Sequence, residues 1–444
     1  MMGFYVLVCV FLLLLIYIVT SVSGLVFCSK RIQRSASNIR PITTRIFGKV
    51  FEAQECVAAL RSVKGNKVRL ESVLKDKWRT YGLQSLQVTK KAVVDCGDSD
   101  LSEVVSDLVD NLSRRNEQTS TKLLGSLAKE YMISLPPEVK GKSGLGRSEV
   151  LDVFCLADGL TYKGKIVREK IRYERELAAF GRVSGVDANK IACESGGGGK
   201  QQQRSKRYDS LVAIVDGGQQ VLILERGIGN LRSLRDQAGP LDGKQLRSAM
   251  RAMADSVAKV HTKGLVWCDI KLENFVMVPK DASKLYPVDS SVKYDKLLQS
   301  CSVKAIDLES VTTKGTEMTD FAPETVAPEL VAQLTGGAIG TVGSRDKDIK
   351  INPQSAVLAS QASDVFSLGL CYVELASRTE VGSVLGTAVG KSFARVNRYV
   401  DGNDDLGLSG IPDTRVKQLL AKMLEVDPSK RPSMLEVQLR LKLL

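Results

Sequence analysis

The sequence predicts an α+β protein, and three observations carry that prediction. Across residues 52–138 apolar side chains recur at spacings of three and four, as in Leu101 to Leu112 and Leu123 to Met132, and Pro136 and Pro137 close the helical region. From Gly141 the texture turns glycine-rich, with short β-like runs at Tyr162 to Val167 and Val221 to Glu225. Leu246, Met250, Met253, Val257 and Val260 then share one helical face, which His261 closes and Gly264 ends.

Composition narrows the class. A chain of 444 residues has room for one to three domains. Its 43% hydrophobic and 25% charged residues exclude both a polytopic membrane protein and a wholly disordered chain. Of the net +13, six positive charges (Lys30, Arg31, Arg34, Arg40, Arg45, Lys49) fall in the first 51 residues, which hold no Asp or Glu. The rest is too diffuse for a nucleic-acid footprint, so no nucleic-acid partner is expected. Nine scattered cysteines without a C-x-x-C, and a single histidine, argue against a disulfide framework or a zinc site and for reduced, buried thiols.

The start of the chain reads as an address or an anchor. Met1 to Ser29 carries no charge, and Phe4 to Val19 is an unbroken apolar run long enough, with its continuation to Cys28, to span a bilayer. Positive residues follow at once, which places the bulk of the chain on the cytosolic side of a membrane. A second reading takes Ser21, Ser23 and Gly24 as a cleavage site and the Arg- and Ser-rich residues 29–49 as a transit segment, together a signal-plus-transit leader like those of some algal plastid proteins. A third is a buried core helix, which gives no reason for the one-sided charge flank.

Three stretches look like polar insertions: 195–207 (SGGGGKQQQRSKR), 280–303 and 333–361. Gly386 to Ser392 ends in Gly-Lys-Ser, but Leu385 stands where a phosphate-binding loop needs its first glycine.

The chemistry concentrates in Val260 to Met277 (VHTKGLVWCDIKLENFVM), where Asp269, Lys271 and Asn274 share a short loop between apolar flanks. That spacing can aim a carboxylate, an ammonium and an amide at one small volume. Phosphoryl transfer asks for these types: a carboxylate to orient the attacking hydroxyl, a cation for the phosphoryl oxygens, an amide oxygen for Mg²⁺.

Here the sequence resembles the eukaryotic-type protein kinase family, whose catalytic loop reads H-R-D-x-K-x-x-N. Val303 to Asp307 (VKAID) is similar to the strand leading into the family's metal-binding D-F-G, with Leu308 and Glu309 in place of Phe and Gly. Ala327, Pro328 and Glu329 reproduce A-P-E, Asp364 to Gly369 (DVFSLG) resembles D-x-W-S-x-G, and Asp427 to Pro432 (DPSKRP) resembles the closing motif, whose arginine would pair Arg431 with Glu329. Toward the N-terminus, Thr161 to Val167 (TYKGKIV) points to Lys165 as the phosphate-gripping lysine and Tyr173 to Leu177 (YEREL) to Glu176 as its partner, 11 positions on. Gly144, Gly146 and Val150 resemble a reduced phosphate-covering loop, and Leu222 to Gly227 (LILERG) the adenine-binding hinge, with Glu225 offering backbone contacts.

The resemblance covers about residues 140–444 and implies a two-lobed fold: a small antiparallel sheet with one helix above a larger helical lobe, nucleotide in the cleft. With the patterning of the first 138 residues this gives three parts: 1–51 (apolar membrane anchor or targeting leader with basic flank), 52–138 (helical, role unassigned) and 140–444 (kinase-like). ATP and Mg²⁺ are the implied cofactors and a protein the implied substrate. Asp269 and Lys271 are implied as catalytic residues and Asn274 and Asp307 as metal ligands, with Lys271 pointing to Ser/Thr hydroxyls because the tyrosine-specific branch carries Ala and Arg in that loop. Trp267 and Cys268 occupy the H-R places, so phosphorylation of Thr312, Thr313, Thr316 or Thr319 is not expected to be the main switch. The thin glycine loop and altered D-F-G leave a binding pseudokinase as an alternative, and a small-molecule kinase as a further one.

Overall fold

Helix-spaced apolar residues build an N-terminal layer of four helices, α1 (Ala53–Ser62), α2 (Lys67–Tyr81), α3 (Leu83–Asp95) and α4 (Ser99–Leu124). The computed structural model describes residues 53–81, 83–134, 148–156, 160–187, 210–281, 298–336, 356–377 and 389–444. The apolar start, Gly144, Gly146 and the Gly-rich 195–207 stretch lie outside them. Cys56, Leu60, Leu70, Leu74, Trp78, Leu86, Leu101, Val105 and Val109 form the layer's own core. The side chain of Asp98 accepts from Leu101 N–H to start α4, and Gly125, at φ 54°, ends it.

The sequence pattern carried this helical region through Met132. Instead the chain leaves α4, makes a 3₁₀ turn over Gly125–Lys129 and becomes a strand, β1 (Tyr131–Ile133). Tertiary pairing overrides the helical spacing: β1 lies antiparallel against β2 (Ser148–Cys155), with Met132 opposite Phe154. On its other side Ser120 of α4 accepts from Ile133 N–H at 2.8 Å, and Asn116 donates to the Ile133 carbonyl. The first strand of the sheet therefore lies N-terminal to the 140 boundary read from sequence.

The sheet continues through β3 (Thr161–Val167), β4 (Ile214–Gly218) and β5 (Val221–Leu224) in the order β1-β2-β3-β5-β4, antiparallel throughout. One face packs on Leu124, Leu127 and Tyr131 through Val153, Cys155, Tyr162, Val221 and Ile223. The other carries Lys163 and Lys165, two residues apart and so on the same side. Helix α5 (Lys170–Ser184) follows β3 and buries Tyr173, Leu177, Phe180 and Val183.

The larger lobe is helical: α6 (Leu231–Ala238), α7 (Gly243–His261), then two antiparallel strand pairs, β6 (Leu265–Val266) with β9 (Thr312–Thr313) and, between them in the chain, β7 (Phe275–Pro279) with β8 (Cys301–Ala305). Residues 301–303, read from sequence as part of an insertion, belong to β8. Helices α8 (Pro328–Thr335), α9 (Gln361–Ala376), α10 (Val389–Val400), α11 (Thr414–Met423) and α12 (Met434–Leu443) complete it. Every residue of α9 from Ser363 to Ala376 is buried, the signature of a helix at the centre of its lobe. The six described cysteines are free thiols, most of them buried.

Candidate active site

Two clusters of charged side chains, one from each lobe, meet at Asp307. Strand β3 supplies Lys165, whose Nζ lies 2.7 Å from Glu176 Oε2 and 2.9 Å from Asp307 Oδ1. The short Lys165-to-Glu176 spacing works because β3 ends at Val167 and α5 begins at Lys170, so Glu176 falls on the second turn, on the helix's buried face. Burial alone would depress the Lys165 ammonium, but the carboxylates of Glu176 and Asp307 more than reverse this and hold it charged. Burial pushes Glu176 upward, opposed by Lys165.

The second cluster sits on the loop after β6. Lys271 Nζ is 2.9 Å from both carboxylate oxygens of Asp269, and Asn274 Nδ2 donates to the Asp269 carbonyl at 2.8 Å and to Oδ2 at 2.9 Å. Desolvation raises the Asp269 carboxyl to about 6; Lys271 and Asn274 pull it down and Asp307 pushes it further up. The clusters are joined through Trp267, whose indole N–H donates to the Asp307 carbonyl at 3.2 Å, and through Ile306 N–H, which donates to the Asn274 carbonyl at 2.9 Å.

Two residues here stand in the left-handed region that non-glycine residues avoid: Cys268 at φ 70° and Asp307 at φ 63°. Asp364, at the start of α9 and 1% exposed, holds the first in place. Its carboxylate accepts from Trp267 N–H at 2.7 Å and Cys268 N–H at 2.9 Å, and lies 2.9 Å from His261 Nε2. The lone histidine is therefore more than a packed helix end: it buttresses the acid that shapes the loop. Trp267, fully buried and edge-on to Phe275 at 5.3 Å, bridges the loop to Asp307. Burial raises the Cys268 thiol, which keeps it neutral and inert.

Carboxylates of Glu176, Asp307 and Glu309 come within 4.8 Å of one another. Glu176 gives Oε2 to Lys165 and Glu309 gives Oε1 to Arg172, both at 2.7 Å, and Asp307 gives Oδ1 to Lys165 at 2.9 Å, so its Oδ2 could take a cation. Asn274 donates with its amide nitrogen, so its amide oxygen could serve as a second hard ligand, and an oxygen donor set suits Mg²⁺. Glu309 itself is raised by burial and by Asp307, with Lys165 and Arg172 opposing.

Val150 stands across from Lys165 in the β2–β3 register and is 54% exposed. The Glu225 carboxylate turns to Lys304 at 2.7 Å and its N–H donates to the Ala213 carbonyl at 2.9 Å, so contact with a base would fall to its backbone carbonyl. Glu329 and Arg431 form the bidentate pair the sequence pointed to, 2.7 Å at both oxygens, with the guanidinium also stacked 4.8 Å from the Phe366 ring centroid.

Sequence reasoning missed three groups. Arg172 lies four residues before Glu176, one helical turn away, a spacing that could have flagged it. Asp152, buried on β2, pairs with Lys163 at 2.9 Å on the Lys165 side of the sheet, with Arg226 at 3.6 Å. Arg232 of α6 bonds Glu273 at 3.0 Å and also contacts Glu374. No local pattern marks the last two.

The sequence model of the protein kinase domain family matches residues 210–440. It begins just before β4, so β1 to β3 and α5, with Lys165 and Glu176, join the matched region through the sheet. No curated protein matches the chain.

Proposed function

Since this chain belongs to the protein kinase family, we propose that it transfers the γ-phosphoryl group of ATP to Ser or Thr hydroxyls of a protein substrate. The observation that carries this reading is a pair of linked clusters: Lys165 bonds Glu176 and Asp307, Asp269 bonds Lys271 and Asn274, and Trp267 with the Ile306 N–H ties the two together. A chain that had abandoned phosphoryl transfer has no physical need to keep Asp269 and Asp307 near each other, each held by a lysine, at the desolvation cost of burying them.

Asp269 orients the attacking hydroxyl and takes its proton, a role suited to a carboxyl raised to about 6. Lys271, bound to the same carboxylate, neutralises charge on the transferred group, and Lys165, fixed by Glu176, grips the inner phosphates. Mg²⁺ held by Asp307 and Asn274 would supply the remaining charge neutralisation. Lys271 carries the Ser/Thr preference.

The test uses the purified full chain with labelled ATP, Mg²⁺ and a generic basic protein. Wild type is expected to label the substrate and Asp269→Asn to abolish labelling with the fold unchanged by circular dichroism. Equal labelling in both would remove the enzyme reading.

A second reading, a pseudokinase serving as a binding scaffold, is favoured by the Asp152–Lys163 ion pair, which puts charge on the sheet face above the cleft, where a nucleotide base finds apolar contact. A wild type whose melting temperature does not move with ATP and Mg²⁺ would favour it. For location, the apolar start supports a membrane anchor with the kinase domain on the cytosolic side, or a cleaved plastid leader, and sequencing the mature N-terminus separates them. Among the described residues no helix is long and apolar enough to cross a membrane.

A further inference from the structure

The segment from Glu309 to Asp320 runs directly from the metal-position acid and is tied down by contacts that need no added phosphate. Arg172, on the helix that presents Glu176, reaches Glu309 Oε1 at 2.7 Å and Asp320 Oδ2 at 3.1 Å, and its Nε lies 3.2 Å from Glu169. Its side chain is 13% exposed, so solvent screens these pairs only in part. A second arginine of α5, Arg182, donates to the Val311 carbonyl at 3.0 Å. The far edge of the segment is laced to residues 357–359: Gly315 N–H donates to the Ala359 carbonyl, Ala359 N–H to the Thr316 carbonyl and Met318 N–H to the Val357 carbonyl, at 2.8 to 2.9 Å. Sequence reading had placed 357–359 in a polar insertion.

Glu309 sits where a glycine would leave the loop free, and Cys268 where an arginine would read a phosphate. The two departures fit together: the anion is built into the segment, and the guanidinium that reads it has been supplied by α5. We propose that Arg172 is a positioning residue that clamps the 309–320 segment to the Glu176 helix through Glu309 and Asp320, so that the catalytic arrangement assembles without phosphorylation of that segment. This rests on the kinase reading for its consequence in turnover, but the clamp itself is a property of the fold.

Hydrogen–deuterium exchange on the full chain reads the clamp whether or not the protein transfers phosphate. Arg172→Gln is expected to raise exchange across 309–320 by about tenfold or more and to leave α9 unchanged. Arg172→Lys restores part of the protection, since an ammonium keeps the charge but cannot bridge two carboxylates in a planar fork. Asp320→Asn, which leaves α5 untouched, should raise exchange in the same segment less. In turnover, Arg172→Gln should lower kcat on the order of 10- to 100-fold with the KM for ATP within about twofold, and phosphatase treatment of wild type should leave kcat unchanged. Exchange across 309–320 that is equal in wild type and Arg172→Gln overturns the proposal, as does a wild type that phosphatase inactivates. A wild type without any transfer sinks the kinase reading alone, and the exchange result still decides the clamp.

Discussion

Replacing Asp364 tests how the catalytic loop is held. The carboxylate is buried and takes two backbone donors, Trp267 N–H and Cys268 N–H, at 2.7 and 2.9 Å, with His261 at 2.9 Å. Asp364→Ala strands all three in a space closed to water. An unsatisfied buried donor costs roughly 1–3 kcal/mol, and loss of a buried charged partner about 3–5 kcal/mol in all once the surroundings relax. The same acid lies in the first turn of α9, where a negative charge meets the positive end of the helix dipole. Cys268, at φ 70°, has no glycine-like freedom to stay put once its anchor is gone. We therefore expect Asp364→Ala to lose about 3–5 kcal/mol by urea denaturation and to raise exchange of the 265–275 amides. Asp364→Asn, which keeps one carbonyl acceptor, should fall between alanine and wild type. If Asp364→Ala unfolds at the wild-type urea midpoint and protects 265–275 as wild type does, the loop is held by something else and the argument fails.

Further expectations follow from other parts of the structure. Because Asp269 must be ionised to accept a proton and burial lifts its carboxyl to about 6, kcat should be flat above neutrality and fall tenfold per unit as pH drops below about 6; an acid limb near 4 would contradict this assignment. Glu329→Ala leaves the Arg431 guanidinium buried without its bidentate partner, and a loss of about 3–5 kcal/mol by urea denaturation is expected, against a change under 1 kcal/mol if the pair is dispensable. A fragment starting at residue 140 lacks β1 and uncovers Val153, Cys155, Tyr162, Val221 and Ile223. It should aggregate where a fragment starting at 53 stays soluble, and a monodisperse 140–444 fragment would show that the edge strand is optional.

What the sequence determined, it determined through local spacing. The period of Leu246 to Val260 sets α7, the stop at Gly264 sets where the next loop begins, and Asp269, Lys271 and Asn274 lie close enough in the chain that one short loop must bring them together. The ordered series from Lys165 to Arg431 pointed to the pairs Lys165–Glu176 and Glu329–Arg431, which the structure brings within 2.7 Å. Other features had no local signature. Strand β1 carries helical spacing and becomes a strand because β2 offers it backbone partners. His261, Trp267 and Asp364 are separated by up to 103 positions and act as one hydrogen-bonded unit. Arg172 meets Glu309 across 137 positions and Asp320 across 148. Spacing along a chain fixes which side chains share a turn or a face; which charges from distant segments neutralise one another depends on how the two lobes close, because an ion pair is chosen by distance in space and by the water excluded around it.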